Sequence, residues 1–418
     1  MGTQAPEAPA GPGSPGAKRY RRGTHRVAEP RATLERVRPL MAEMGITRVA
    51  NVTGLDRIGI PVVMVCRPNS RSLAVHQGKG LDLDAAKASG LMEAAESFHA
   101  ETITLPLRFA SYDELAPSHP VIDVERLPRS LEGRYDQRLP LPWIEGRDLV
   151  SGEALWLPFE LVSLNYTVPP FPGSGCFPAT SNGLASGNHL LEAISHGVFE
   201  IIERDALTLW RLRGRQARLE SAVDPASVGD PLTRELLDPF ERAEVEVRLW
   251  DATSDIGIAC FVCLIMSRKD ESADPEFGAG CHPMREVALI RALTEAAQAR
   301  LTYISGARDD FASPLYGEAT RQARLHEARG WLAEPITGRR FDAVPTFESD
   351  DIQADIDHAL ERLARIGAGR IVAVDLTKPE LGIPVVRIVV PGLEGAHQGI
   401  HSDYVPGARA RAVLEGCG

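Results

Sequence analysis

Residues 181–210, SNGLASGNHLLEAISHGVFEIIERDALTLW, join a glycine-rich turn to a helix with several acids along one side. Gly183 and Gly187 let the backbone approach a ligand closely. The loop feeds directly into a helix start, whose free N–H groups and positive dipole end favour phosphate. At 100° per residue, Glu192, His196, Glu200 and Glu203 share one quadrant, with Leu191, Ile194, Val198 and Ile202 roughly opposite. A solvated surface helix is one reading, but such a face usually interleaves Lys or Arg four residues after Glu. Here Arg204 and Arg211 lie to the side or at the end. Three carboxylates without nearby cations call for an external positive charge, and magnesium carried with nucleotide phosphates supplies one. No GxxxxGK[ST] occurs in the stretch, so it is not a P-loop.

The 418 residues, 44% of them hydrophobic, can bury a sizeable core. A formal net charge of -11 argues against general nucleic-acid binding, which needs a basic surface. No apolar run approaches the roughly 20 residues that span a bilayer. The start, MGTQAPEAPAG, has no hydrophobic signal region and Pro6 spoils a myristoylation pattern, so the expected compartment is the cytoplasm. Six cysteines in a chain of this size suit a reducing compartment. Cys260 and Cys263 sit in the apolar run IGIACFVCLIM with no second CxxC, which reads as buried thiols rather than zinc ligands.

Residues 1–24, rich in Pro, Gly and Ala and then basic, read as a mobile tail before a single domain over 25–418. A capping residue at Thr33 suggests a first helix over 36–44, and strands are expected near 47–52, 59–67 and 73–77. Gly78-Lys79-Gly80 leads through Asp82 and Asp84 into a helix over about 85–100, where Glu93 and Glu96 share a face as either a surface pair or a second carboxylate pair for magnesium. Residues 105–180 read as loops with a few strands, and 211–230 as a polar connection. A helix over 231–243 precedes strands at 245–250 and 256–266 that pair as a hairpin. Phe277-Gly278-Ala279-Gly280 precedes a helix over 285–305, on which Arg291, Glu295, Gln298 and Thr302 share a face. An Arg291–Glu295 salt bridge is the plainer reading there. Three glycine-turn–helix units suggest weak internal repetition. A helix over 351–366 and strands over 370–376 and 385–390 complete the sheet, and the end is loop-rich.

Ser181-Asn182-Gly183-x-Ala185-x-Gly187, Glu192-Ala193 and Glu200-x-x-Glu203-Arg204-Asp205 resemble the central signature of the YcaO family, ATP-dependent enzymes that activate peptide backbone amides. The resemblance runs from about Arg26 to the end. It implies an α+β, YcaO-like fold in which acid-bearing helices and a β-sheet form an ATP site. By matching motif, Glu93, Glu96, Glu200 and Glu203 would hold Mg2+, and Ser181, Asn188, Glu192 and Arg204 would contact nucleotide. Glu295 and Gln298 in TEAAQAR match a third family motif, followed by Arg300; Lys79 matches a position near the phosphates, and Arg26 and Thr33 have the spacing of N-terminal nucleotide contacts. The resemblance implies a precursor peptide substrate and a homodimer.

ITRVANVTGLDRIGIPV, TYISGARDD and VVPGLEG resemble the subgroup whose members work with TfuA-like proteins. Azoline-forming members often end in PxPxP, whereas this sequence ends VLEGCG, which favours thioamide formation. His76 stands where the subgroup usually has a small polar residue. The family chemistry adds a nucleophile to the amide carbon while ATP phosphorylates the oxygen. Sulfide then gives a thioamide, and a neighbouring Cys, Ser or Thr an azoline ring. The third expectation is a non-catalytic scaffold that binds a leader peptide. No general base is evident, since His196 reads equally as a structural partner.

Overall fold

The structure is a computed structural model that describes residues 14–131, 133–269, 274–310, 316–336, 338–395 and 405–416. Its first helix, α1 (Pro30–Val37), starts at a proline in the first turn, where the missing N–H costs nothing, and it gives way before Pro39. Thr33 therefore lies inside the helix rather than capping it. Strands β1 (Arg48–Asn51), β2 (Val62–Cys66) and β3 (Val75–Lys79) form an antiparallel sheet in that order. Helix α2 (Leu83–Glu101) follows, and the Asp82 carboxylate accepts the Ala85 N–H at its start.

Next come β4 (Leu107–Ala110), the short α3 (Tyr112–Leu115), β5 (Leu141–Asp148), β6 (Ala154–Pro158), β7 (Leu184–Ser186) and α4 (Leu190–Leu212). The segment read mostly as loops thus contains the eight-residue β5, which pairs with both β4 and β6. The expected polar connection after α4 contains α5 (Gly214–Ser221) and β8 (Ala222–Val223). Helix α6 (Pro231–Arg242) leads to β9 (Val245–Asp251), which pairs with β10 (Cys260–Ser267) as the expected hairpin. Then follow β11 (Glu276–Cys281), α7 (Arg285–Ser305), α8 (Glu318–Ala333), α9 (Ile352–Arg365), β12 (Val372–Asp375), β13 (Val385–Val389) and α10 (Ala408–Gly416). Helix α10 replaces part of the expected loop-rich end.

The other sheets run β11-β10-β9-β8 and β4-β5-β12-β13-β7, with β6 on the far side of β5. Each carries one acid-bearing helix: α2 lies on β2 and β3, α7 on β10 and β11, and α4 on β7 and β13. Two of these units repeat each other. The Gln77 N–H donates to Glu93 Oε1 at 3.3 Å and the Ala279 N–H to Glu295 Oε1 at 3.4 Å, both across sixteen residues. Gly78 and Gly280 match within them, because a Cβ at either would lie 2.0 or 2.2 Å from the Ala86 or Ala288 carbonyl oxygen. Only glycine lets strand and helix approach so closely. The expected repetition therefore has a structural counterpart. Cys260 and Cys263 are fully buried in β10.

The tail expectation fails over residues 14–24, while 1–13 lie outside the described residues. Ala17 bridges Asp351, and Lys18 Nζ sits 2.6 Å from Asp355 Oδ2 in a buried ion pair. Tyr20 and Arg26 close a small hairpin by exchanging backbone hydrogen bonds of 3.0 and 2.9 Å. A basic, proline-rich stretch is thus held by acids more than 300 residues away.

Candidate active site

A cavity of about 240 Å³ opens beneath the N-terminal hairpin, between α2, α4 and α7. Gly80 and Gly187 let its loops close onto the helix starts. A Cβ at Gly80 would lie 2.6 Å from Ala86 N, and one at Gly187 2.6 Å from Ala193 N. Such cradles suit phosphate, whose oxygens accept from the first N–H groups of a helix.

The acids of the three helices interact here. Glu96 Oε1 accepts from the Ser186 N–H (2.8 Å) and hydroxyl (2.7 Å), joining α2 to β7. Burial, with the neighbouring charges of Glu93 and Glu200, pushes its pKa up to about 8. Glu200 is pushed up to about 7 by burial and Glu203, against the pull of Arg204 and Arg387. Glu93 is raised by burial, and Glu203 by burial together with Glu295. Mutual repulsion of this kind is relieved by a cation. The donors are all carboxylate oxygens, the hard ligands that magnesium takes.

Positive charge faces this cluster. Lys79 Nζ lies 2.7 Å from Glu295 Oε2. Burial acts to raise Glu295, but Lys79, Arg204 and Arg291 together hold it below the usual range. Arg204 lies 3.9 Å from Glu200, and its buried Nε has no partner, leaving a donor for a phosphate oxygen. Arg291 does not pair with Glu295 along the helix. Its Nη2 sits 3.0 Å from His196 Nε2. A guanidinium only donates, so Nε2 accepts and the imidazole is neutral. Burial and the charges of Arg291, Arg26 and Lys79 keep the His196 pKa well below the ordinary value. His196 thus positions Arg291, and its Nε2 is not free to take a proton from a substrate.

Glu192 organises the opposite wall. Its carboxylate accepts from Val27 N–H at 3.0 Å, Asn188 Nδ2 at 3.2 Å and Asn188 N–H at 3.3 Å, and it lies 3.4 Å from Arg26 Nε. The Thr33 hydroxyl donates to Asn188 Oδ1 at 2.9 Å. Arg26, Thr33, Asn188 and Glu192 therefore form one network, although 155 residues separate Thr33 from Asn188. Gln298 lines the same cavity.

Two expected contacts lie elsewhere. The Ser181 side chain is exposed, and its carbonyl closes a turn to Leu184. Arg300 turns to buried Asp56, 3.4 Å away, beside the β1–β2 loop. Two residues not singled out from the sequence belong to the acid cluster's surroundings. Ser186 belongs to the glycine-rich turn itself, and Arg387 is the one charge in the apolar run VVRIVV. A lone cation in a buried strand was the available signal.

Among the described residues, the group of His, Cys, Asp or Glu side chains close enough to share an ion is His25, His282 and Asp355. Lys18 already pairs with Asp355, Met284 N–H donates to His282 Nδ1 at 3.0 Å, and the His25 ring packs edge-on against that of His282. No helix among the described residues is long and apolar enough to cross a membrane.

Residues 77–394 match the family model described as "YcaO cyclodehydratase, ATP-ad Mg2+-binding". A protein of Rhizobium leguminosarum bv. trifolii, described as an uncharacterized protein in the tfuA 3' region, is 39% identical over 376 residues, or 88% of each chain. The fold is similar to that of YcaO from Methanopyrus kandleri bound with AMPPCP and Mg2+. That likeness has a TM-score of 0.71 and 24% identity, covering 94% of this chain and all of the other. A heterocyclase in complex with substrate and cofactor superposes with a TM-score of 0.74 and 23% identity, over 91% of this chain and 53% of that longer one. Family match and relative together show that this chain belongs to the YcaO family of ATP-dependent, peptide-modifying enzymes.

Proposed function

We propose that the protein activates a backbone amide of a precursor peptide by ATP-dependent O-phosphorylation, and that with a TfuA-like partner the product is a thioamide. The observation that carries the first part is the chain of interacting charges Glu93, Glu96, Glu200 and Glu203, of which Glu93 and Glu96 line a glycine-cradled cavity together with Lys79. In this reading the four acids hold Mg2+. Lys79, Arg204 and Gln298 face the phosphates, and Glu295 holds Lys79 in place. Arg26, Thr33, Asn188 and Glu192 form the nucleotide's other wall. Ser181 would need to move to join them, and Arg300 supports the fold around Asp56.

Bound ATP with Mg2+ supplies the electrophilic phosphorus that turns a poor amide leaving group into phosphate. The chain's own contribution is positioning and fixed charge. Lys79, Arg204 and Arg291 set a positive field where negative charge develops on the phosphoryl oxygens. In the overall reaction hydrosulfide replaces the amide oxygen, the carbon–oxygen bond breaks, and ADP and phosphate leave with the oxygen and the proton. The tfuA neighbourhood of the Rhizobium relative supports the sulfur-using branch. The family's cyclodehydratase description supports the second reading, ring closure by a side chain of the peptide.

The nucleotide part is tested by calorimetric titration with Mg·ATP. Glu200→Gln with Glu203→Gln should weaken binding by on the order of 100-fold or more, above the effect typical of outer-shell partners. Binding within twofold of wild type would remove these acids from the metal site.

A further inference from the structure

Arg387 lies in the middle of β13, opposite Val374 on β12 and Leu184 on β7. Its side chain is only 2% exposed. Nη2 donates to the Thr180 carbonyl, but Nε and Nη1 are buried with no partner. Such a cation is costly to bury unless something negative meets it. Glu394, on the same cavity wall, accepts from Ala410 N–H at 2.9 Å and Gly407 N–H at 3.0 Å, which ties its carboxylate to the start of α10. Burial accordingly draws the Arg387 pKa down to about 10.

The residue lines a separate cavity of about 50 Å³, with Thr180, Asn182, Ile201 and Gly395. That is several times the space one water needs. It shares no lining residue with the nucleotide cavity. Asn182 Oδ1, a buried acceptor, is also without a partner. Glu200 is close enough for its charge to act on both Glu96 and Arg387.

We propose that Arg387 and Asn182 form an oxyanion subsite in this second cavity, with an unpartnered Arg387 N–H donating to a tetrahedral oxyanion. This deepens, and rests on, the proposed amide activation. Two groups of that reaction share the chemistry: the phosphoryl group as it leaves, and the alkoxide formed on the amide carbon. A buried guanidinium N–H without a partner suits either, and Asn182 Oδ1 accepts a P–OH or the amide N–H.

The test is a calorimetric titration of the Mg·ADP-loaded protein with inorganic phosphate. Wild type should bind one phosphate, and Arg387→Met should bind it at least tenfold more weakly with Mg·ADP affinity within twofold of wild type. Arg387→Lys, which keeps the charge and loses the guanidinium, should fall between them, and Asn182→Leu should also weaken phosphate. The last two decide the matter if Arg387→Met does not fold. Repeating the titration with Mg·AMPPCP separates the sources. Retained phosphate binding places the subsite at the amide-derived oxygen, and exclusion places it at the transferred phosphoryl group. Phosphate affinity unchanged in both Arg387 variants would overturn the subsite, as would parallel loss of Mg·ADP and phosphate. Failure of wild type to bind Mg·ADP would instead overturn the proposed function, and phosphate titration of the nucleotide-free proteins would still decide Arg387.

Discussion

Lys79 Nζ and Glu295 Oε2 lie 2.7 Å apart although 216 residues separate them, so a strand of one repeated unit is joined to the helix of the other. The pair spans the acid cluster and holds Glu295 ionised. Lys79→Met should leave Glu295 short of its nearest cation and weaken Mg·ATP binding by about tenfold, or ~1.4 kcal/mol. Isothermal titration checks this, and an affinity within twofold of wild type would deny Lys79 its place at the phosphates.

Asp205, next to the Glu200–Arg204 motif, faces away from the cavity. Arg409 on α10 lies 3.0 Å from it and 2.5 Å from Asp255. Asp205 also accepts the Glu394 N–H at 2.9 Å. Arg409→Met strands a buried carboxylate and should cost about 3 kcal/mol of stability. Adding Asp205→Asn removes that charge and should recover much of the loss. Urea unfolding of the single and double variants measures both, and a double variant weaker than the sum of the singles would contradict the pairing.

Stability should fall in mild acid because buried histidines stay neutral in the fold. Burial, helped by Lys18, Arg21 and Arg26, lowers the His25 pKa to about 3, and burial with Arg67 lowers His76 to about 3. A histidine depressed in this way takes no proton while folded, whereas the unfolded chain takes one near pH 6.5. Its contribution is therefore complete above about pH 6.5 and is lost as pH falls towards 3, at ~1.4 kcal/mol per pH unit per histidine. Unfolding free energies at pH 7.5 and 5.5 should show this loss, made smaller by ~1.4 kcal/mol over the interval, an average of about half a proton, in His76→Gln. An unchanged slope in that variant would show that His76 is not the group responsible.

Gly78 and Gly280 should tolerate no side chain, since the contacts a Cβ would meet are backbone atoms. Alanine at either should cost several kcal/mol, on the order of a severe overpacking, while Gly369→Ala, which has open space around it, should stay within about 0.5 kcal/mol. Thermal unfolding of the three variants gives the comparison. Equal behaviour of all three would mean that strand–helix closeness does not fix these units.

Local signals carried far in this chain. Helix α7 was legible to the residue because a glycine-rich turn, a periodic apolar face and Gly306 in a left-handed end conformation all agree. The β9–β10 hairpin and the Asp82 cap were legible for the same reason. What escaped is non-local. Lys18 reads as part of a tail until Asp355 lies beside it, and Arg300 reads as a site cation until Asp56 does. Helices α8 and α10 carry weak apolar faces and many charges, so tertiary contacts such as Arg409–Asp205 hold α10 rather than its own pattern. The acids of the site could be named from one helix face at a time, but their meeting across three sheets could not.

The central claim is tested most directly by mass spectrometry of a precursor peptide co-expressed with this protein, with and without a TfuA-like partner. Wild type is compared with Glu200→Gln plus Glu203→Gln. A mass gain equal to exchanging one oxygen for one sulfur, dependent on the partner and absent in the variant, is the expected result. Loss of one water would mean ring closure instead, and an unmodified peptide under every condition would contradict ATP-dependent amide activation by this protein.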